Sequence, residues 1–131
     1  MVDVTVVDAE LEQDKNDKIA AVAARGAVSA AELGQDPGQV EVFLQHYFRH
    51  VDPVDVDSRS VEDLLGLVAS HYRAALARRP GEPVVAVRNP RQGDDGWTAG
   101  GATVVQVVTD DQPFLVDSVT MEVLRQGWSM H

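Results

Sequence analysis

The apolar period of this chain switches from helical to extended at Pro80–Gly81, and that switch dictates a mixed architecture. Before it, apolar residues recur at spacings of three and four, the pattern of a helix with one buried face. Ile19, Val22, Ala23, Gly26, Ala27, Ala30 and Leu33 form one such stripe, predicting a helix from about Glu10 to Leu33, with Gly34 and Pro37–Gly38 as its stop. Val40, Phe43, Leu44, Tyr47 and Val51 form a second stripe over Gln39–His50. Val61, Leu64, Leu65, Val68, Tyr72, Ala75 and Leu76 form a third, running to about Arg79. Ser60 reads as its N-cap, with Glu62 and Asp63 at the positive end of the helix. Pro53 disfavours helix at the residue before it, so Val51–Ser58 reads as a loop. Residues 1–8 read as a short strand or an unfolded lead.

After Gly81 the pattern is that of strands. Glu82–Asn89 and Ala102–Thr109 are β-branched runs, joined by a connection rich in Gly and Asp over Pro90–Gly101. Asp110–Pro113 is a tight turn, and Phe114–Gln126 returns to a helical period, with Phe114, Leu115, Val119, Val123 and either Met121 or Leu124 as its buried side and Gly127 as its C-cap. Trp128–His131 opens another extended segment. The strand, helix and second strand over 102–131 predict a right-handed βαβ crossover. The near-continuous valines at 104, 105, 107 and 108 predict a sheet covered on both faces, by the N-terminal helices on one side and Phe114–Gln126 on the other. The fold class expected is therefore α+β, divided into an acidic lead and helix at 1–38, a helical segment at 39–81, and a strand plus a partial βαβ unit at 82–131.

A net charge of −10 argues against nucleic acid and anionic membrane as partners, since both require a basic surface. Six acids against Lys15 and Lys18 in residues 1–18 suggest a solvated, mobile end. The sequence contains no cysteine, which rules out disulfides and thiolate chemistry and fits a cytoplasmic setting. No apolar run reaches the ~20 residues of a membrane span.

Candidate chemistry is sparse. His46 and His50 stand four apart on a predicted helix with Asp52 nearby as a third ligand, but no Glu follows His46 as in the metalloprotease pattern, and the two read more simply as half-exposed helix histidines. Ser118, beside Asp117, with His71 or His131 has the residue types of a triad, yet Ser118 falls within a helix pattern rather than on a nucleophile elbow. The glycines at 93, 96, 100 and 101 match no phosphate-binding pattern. Arg73, Arg78, Arg79, Arg88 and Arg91 form a basic cluster, read either as a solvated helix end or as a contact to another domain. The turn Asp110-Asp111-Gln112-Pro113 joins a buried strand to a helix N-terminus. Free amides there can hold an anion, or the acids can cap the helix themselves. No catalytic, cofactor-binding or metal residue is assigned.

The string Asp110-Asp111-Gln112-Pro113-Phe114-Leu115-Val116-Asp117-Ser118, following the valine-rich strand and leading through a helix to His131, resembles the start of the ACT-like region in the large NAD-specific glutamate dehydrogenases of bacteria. Gln112 stands where that family usually has Met. Ser70–Pro90 and Gly96–Trp97 are also similar to it, so the likeness covers Val40 to His131. The resemblance implies a partial ACT-like, ferredoxin-like unit within a parent enzyme that deaminates L-glutamate with NAD. The catalytic and NAD-binding domains would lie elsewhere, so this segment would hold no cofactor and be inactive alone. It would serve regulation or assembly, with the rest of the parent chain and other subunits as partners. In ACT modules generally the loop after the first strand often holds an amino-acid effector. Asp111, Pro113 and Leu115 match that pattern, but Phe114 stands where Gly is common, which favours packing or assembly at residues 110–114. The alternative is a stand-alone ACT-like module for amino-acid binding or dimerisation.

Overall fold

A computed structural model describes the backbone of residues 4–32 and 36–130, with side chains from 8 to 27 and from 36 to 130. The N-terminal half is four helices: α1 (Val4–Glu32), α2 (Pro37–Tyr47), α3 (Pro53–Asp57) and α4 (Val61–Ala77). The first stripe holds as far as it can be followed. Ile19, Val22 and Ala23 are buried, and at Gly26 an added Cβ would come within 3.4 Å of both Leu65 and Val40, so the glycine permits close helix packing. The side chains of Ala30 and Leu33, and the stop at Gly34, lie outside the described residues. Residues 4–8, read as strand or lead, are the opening of α1.

Each following helix starts on a side-chain cap. Asp36 accepts from Gly38 N, and Asp52 accepts from Val54 N at 2.9 Å. Ser60 accepts from Asp63 N at 3.0 Å. Pro37 and Pro53 both stand in the first turn, where the missing N–H costs nothing and the fixed φ suits the helix. This corrects the reading of 51–58 as a loop: Pro53 excludes helix before itself but initiates the short α3, which places Val56 fully in the core. Phe48, just past α2, is likewise buried. With Ile19, Val22, Leu44, Leu64 and Val68 these residues make the core, each fully buried side chain contributing about 1.5–3 kcal/mol.

The acids of α1 at Asp8, Glu10, Glu12, Asp14 and Asp17 are exposed, while its two lysines are engaged. Lys15 is only 5% exposed, and its Nζ donates to Val51 O at 2.7 Å and Arg49 O at 3.4 Å. Lys18 Nζ donates to Asp57 O at 3.2 Å and Arg59 O at 3.0 Å. Two cations one helical turn apart on α1 thus satisfy carbonyls at and just beyond the C-termini of α2 and α3, where the helix dipole favours positive charge.

The sheet has two strands, β1 (Val84–Arg88) and β2 (Val104–Val108), paired antiparallel with Val84 opposite Val108 and Ala86 opposite Gln106. Their connection contains a one-turn helix, α5 (Gln92–Asp95), and buries Trp97 and Ala99. α4 covers one sheet face: Gln106 Nε2 donates to Ser70 Oγ at 2.6 Å. The opposite face is open, with Val85, Val87 and Val105 exposed by 63%, 64% and 49%, so the expected cover on both faces is not present. The physical reason is α6 (Leu115–Arg125), which buries no residue completely and makes no extensive contact with another element. Phe114, expected in the core, is 76% exposed, and Leu76, Met121 and Leu124 are exposed as well. Gly127 stops α6, one residue past its cap Gln126. Gly127 N donates to Leu124 O and Trp128 N to Val123 O, the paired bonds of a Schellman turn with Gly127 at φ 80°. Among the described residues the segment after it joins no strand, and the crossover's second strand is not formed. Three residues can make too few ladder bonds to offset their ordering. His131 lies outside the described residues. The architecture shown is α+β, helices beside a small antiparallel sheet.

Candidate functional site

The turn at 110–114 follows β2 and leads into α6. Antiparallel pairing sets Val84 opposite Val108, so the chain entering β1 and the chain leaving β2 meet at one end of the sheet. There the Arg78 guanidinium, at the C-terminus of α4, pairs with Asp110, while its Nε donates to Glu82 O at 2.9 Å. The Arg78 side chain is 18% exposed and that of Asp110 61%. Arg78 is thus paired within the chain and does not stand as a solvated helix end. Of the other cationic residues, Arg73 donates to Ala69 O on its own helix, and Arg79, Arg88 and Arg91 are exposed.

Asp111, Gln112, Pro113 and Phe114 are all exposed. Phe114 takes the N-cap position of α6 with φ 60° and ψ 18°, and no side chain caps the helix. Neither Asp110 nor Asp111 performs the capping considered for them: Asp110 is drawn to Arg78, and the left-handed turn at Phe114 separates both from the first-turn amides. Asp117 supplies the one acid of that turn. All five loop residues, Asp110 to Phe114, are exposed. A cavity of about 430 Å³ lies instead between α1 and α2, bordered by Glu12, Ile19, Ala23, Glu41 and Arg49.

The remaining candidates do not assemble. α2 ends at Tyr47, so His50 falls in the turn beyond it and leaves the helical face of His46. Among the described residues no group of three His, Cys, Asp or Glu is placed to hold a metal. His71 Nδ1 shares a 3.0 Å hydrogen bond with Tyr47 Oη, whereas Ser118 sits exposed on α6. Burial pushes the Tyr47 phenol up to about 12. The pair lies among Phe43, Phe48 and Tyr72 in an edge-packed aromatic group, a structural role. The Arg78–Asp110 pair escaped sequence reasoning because it depends on strand register; its only signal was opposite charge flanking the outer ends of two strands.

Residues 43–131 match the family described as glutamate dehydrogenase, ACT1 domain. The chain is 37% identical over 93 residues to an NAD-specific glutamate dehydrogenase of Pseudomonas aeruginosa, and 33% identical over 93 residues to one of Halomonas elongata. Each match covers 71% of this chain and 6% of the relative, so the chain corresponds to a small part of those proteins. No solved structure matches it significantly. The string at 110–118 and the valine strand before it fall within the matched region, and the chain belongs to the glutamate dehydrogenase ACT1 domain family.

Proposed function

We propose that this chain is an N-terminal regulatory and assembly segment of a much longer NAD-dependent glutamate dehydrogenase. The parent would convert L-glutamate, NAD and water to 2-oxoglutarate, ammonia and NADH in the cytoplasm. Catalytic residues and the NAD site would lie in other parts of the parent, and the partners of this segment would be those parts and neighbouring subunits. In this reading β2, the turn at 110–114 and α6 begin an ACT-like unit, and the rest of the parent supplies what completes the crossover. The observation that carries the reading is the family match over residues 43–131. The open face of Val85, Val87 and Val105, and the exposed Val116, Met121 and Leu124 of α6, support an assembly role, because apolar surface of this kind is normally covered. The exposed Phe114 supports assembly over effector binding at the turn.

The test has two arms. The isolated chain, given NAD and any concentration of L-glutamate, should produce no NADH. In the parent enzyme, Val85→Asp with Val105→Asp should weaken subunit association and lower activity. NADH formation by the isolated chain would overturn the proposal, as would an unaltered assembly and rate in the parent variant. Saturable heat on titrating amino acids into the isolated chain, lost with Asp110→Asn and Asp111→Asn, would identify a free-standing binding module instead.

A further inference from the structure

α1 and α2 border a groove of about 430 Å³, a volume typical of small-molecule sites. α1 lines it with Glu12, Lys15, Ile19 and Ala20, and α2 with Glu41 and Arg49. The two helices run antiparallel: Gly26 lies against Val40 and Leu44, while the Lys15 ammonium reaches the carbonyls of Arg49 and Val51. Glu12, Lys15 and Arg49 therefore share one end of the groove. Ile19 and Ala20 form its apolar middle, and Glu41 stands at the other end, about 12 Å from Arg49 at the rise of a helix.

The charges of the groove are unevenly met. Lys15 is 5% exposed, its ammonium bonds to carbonyls alone, and among the described residues it forms no ion pair. A buried cation without a counter-ion is costly, so this end favours an anion. Arg49 beside it is exposed and, among the described residues, also outside any ion pair. A guanidinium takes a carboxylate through two parallel hydrogen bonds. Glu12, one turn before Lys15, offers the opposite charge to an ammonium group. Carboxylate and ammonium on one carbon make the head of a free α-amino acid. A stem leaving that head crosses the apolar Ile19 and Ala20 and ends at Glu41, which favours a second cation. We propose that the α1–α2 groove binds a free α-amino acid with a long cationic side chain. Its carboxylate lies at Arg49 and Lys15, its α-ammonium at Glu12 and its side-chain cation at Glu41. The exposed Asp8, Glu10, Asp14 and Asp17 of α1 draw a ligand of net positive charge toward the groove. All of α1 lies outside the matched residues 43–131, so the failure of this site and that of the proposed function are separable.

Titration calorimetry of the 131-residue chain with L-arginine, L-lysine, L-leucine and L-glutamate tests the site. L-arginine and L-lysine should give saturable heat. L-leucine, which lacks the distal cation, should bind about fivefold more weakly, and L-glutamate, which brings a carboxylate toward Glu41, more weakly still. Glu41→Gln should lower L-arginine affinity about fivefold and leave L-leucine affinity unchanged, whereas Arg49→Met should weaken both. Both side chains are exposed, and Lys15 bonds to the carbonyl of Arg49 and not to its side chain, so the fold should survive each change, as circular dichroism will verify. Absence of saturable heat with L-arginine and L-lysine would overturn the site. L-arginine binding that neither variant alters would overturn it too. So would binding that Asp110→Asn with Asp111→Asn abolishes, since the ligand would then sit at the turn.

Discussion

Trp97 fills the space that a side chain at Gly66 would need. A Cβ built at Gly66 would overlap the indole's Cβ, Cγ and Cδ1, so the glycine on α4 is the socket for a tryptophan that is 5% exposed. The next residue reinforces the contact, with Thr98 N donating to Asp63 Oδ1 at 2.7 Å. Together they tie the long β1–β2 connection to α4.

Gly66→Ala therefore sets helix propensity against overlap. Alanine gains up to ~1 kcal/mol in a helix interior, but displacing the indole costs about 1–3 kcal/mol or more. The expected result is net destabilisation with a red-shifted Trp97 emission, followed by urea unfolding. A more stable variant would show that the indole moves aside freely.

Lys15 should matter more than Lys18. Lys15→Met preserves the packed stem but removes the donor to Val51 O and Arg49 O, leaving shielded carbonyls at a cost of about 2 kcal/mol. Lys18→Met, at a site where water can substitute, should cost under about 1 kcal/mol. Thermal melts of the two variants compared with the unaltered chain give the order.

Gln106 and Ser70 should respond unequally. Ser70→Ala removes the 2.6 Å partner of Gln106 Nε2 and leaves a buried donor with only a 3.4 Å bond to Leu67 O, at a cost of about 1–3 kcal/mol. Gln106→Leu should be nearly neutral or stabilising. Gln106 Oε1 is already buried without a partner, and Ser70 Oγ keeps its own bond to Leu67 O. Chemical denaturation of both variants decides the matter.

At alkaline pH the aromatic group becomes the weak point. The Tyr47 phenol is raised by burial from 10.0 to about 12, so the folded state holds its proton more tightly than the unfolded chain. That contribution is fully present below pH 10 and is lost as pH rises through about 12, a change of up to about 3 kcal/mol. Tyr47→Phe should flatten this part of the stability profile. Identical alkaline slopes in the two proteins would contradict the assignment.

Much of the helical half was legible because a three-and-four spacing survives packing: Ile19, Val22, Leu44, Leu64 and Val68 are buried where the stripes put them. The Ser60 cap and the Gly127 stop were legible for the same reason, since each depends on neighbours within a few residues. Pro53 was misread because one residue both forbids helix behind it and begins one ahead. Lys15, Trp97 and Arg78 were invisible in their roles, since each acts on a segment distant in sequence. The exposure of Phe114 and of the β1–β2 valines could not follow from pattern either. An apolar residue signals that it needs cover but not that the cover lies in the same element group.

The β2 strand reads Val104-Val105-Gln106-Val107-Val108, the same letters in both directions. Apart from its middle residue it carries no mark to distinguish up from down or inside from outside, and a shift by one position would merely exchange valines. The single amide, held to Ser70, breaks that symmetry. Replacing it with leucine would leave a strand able to dock in several alignments, so a sequence gain in thermal endurance could come with slower, branching refolding and more than one final form.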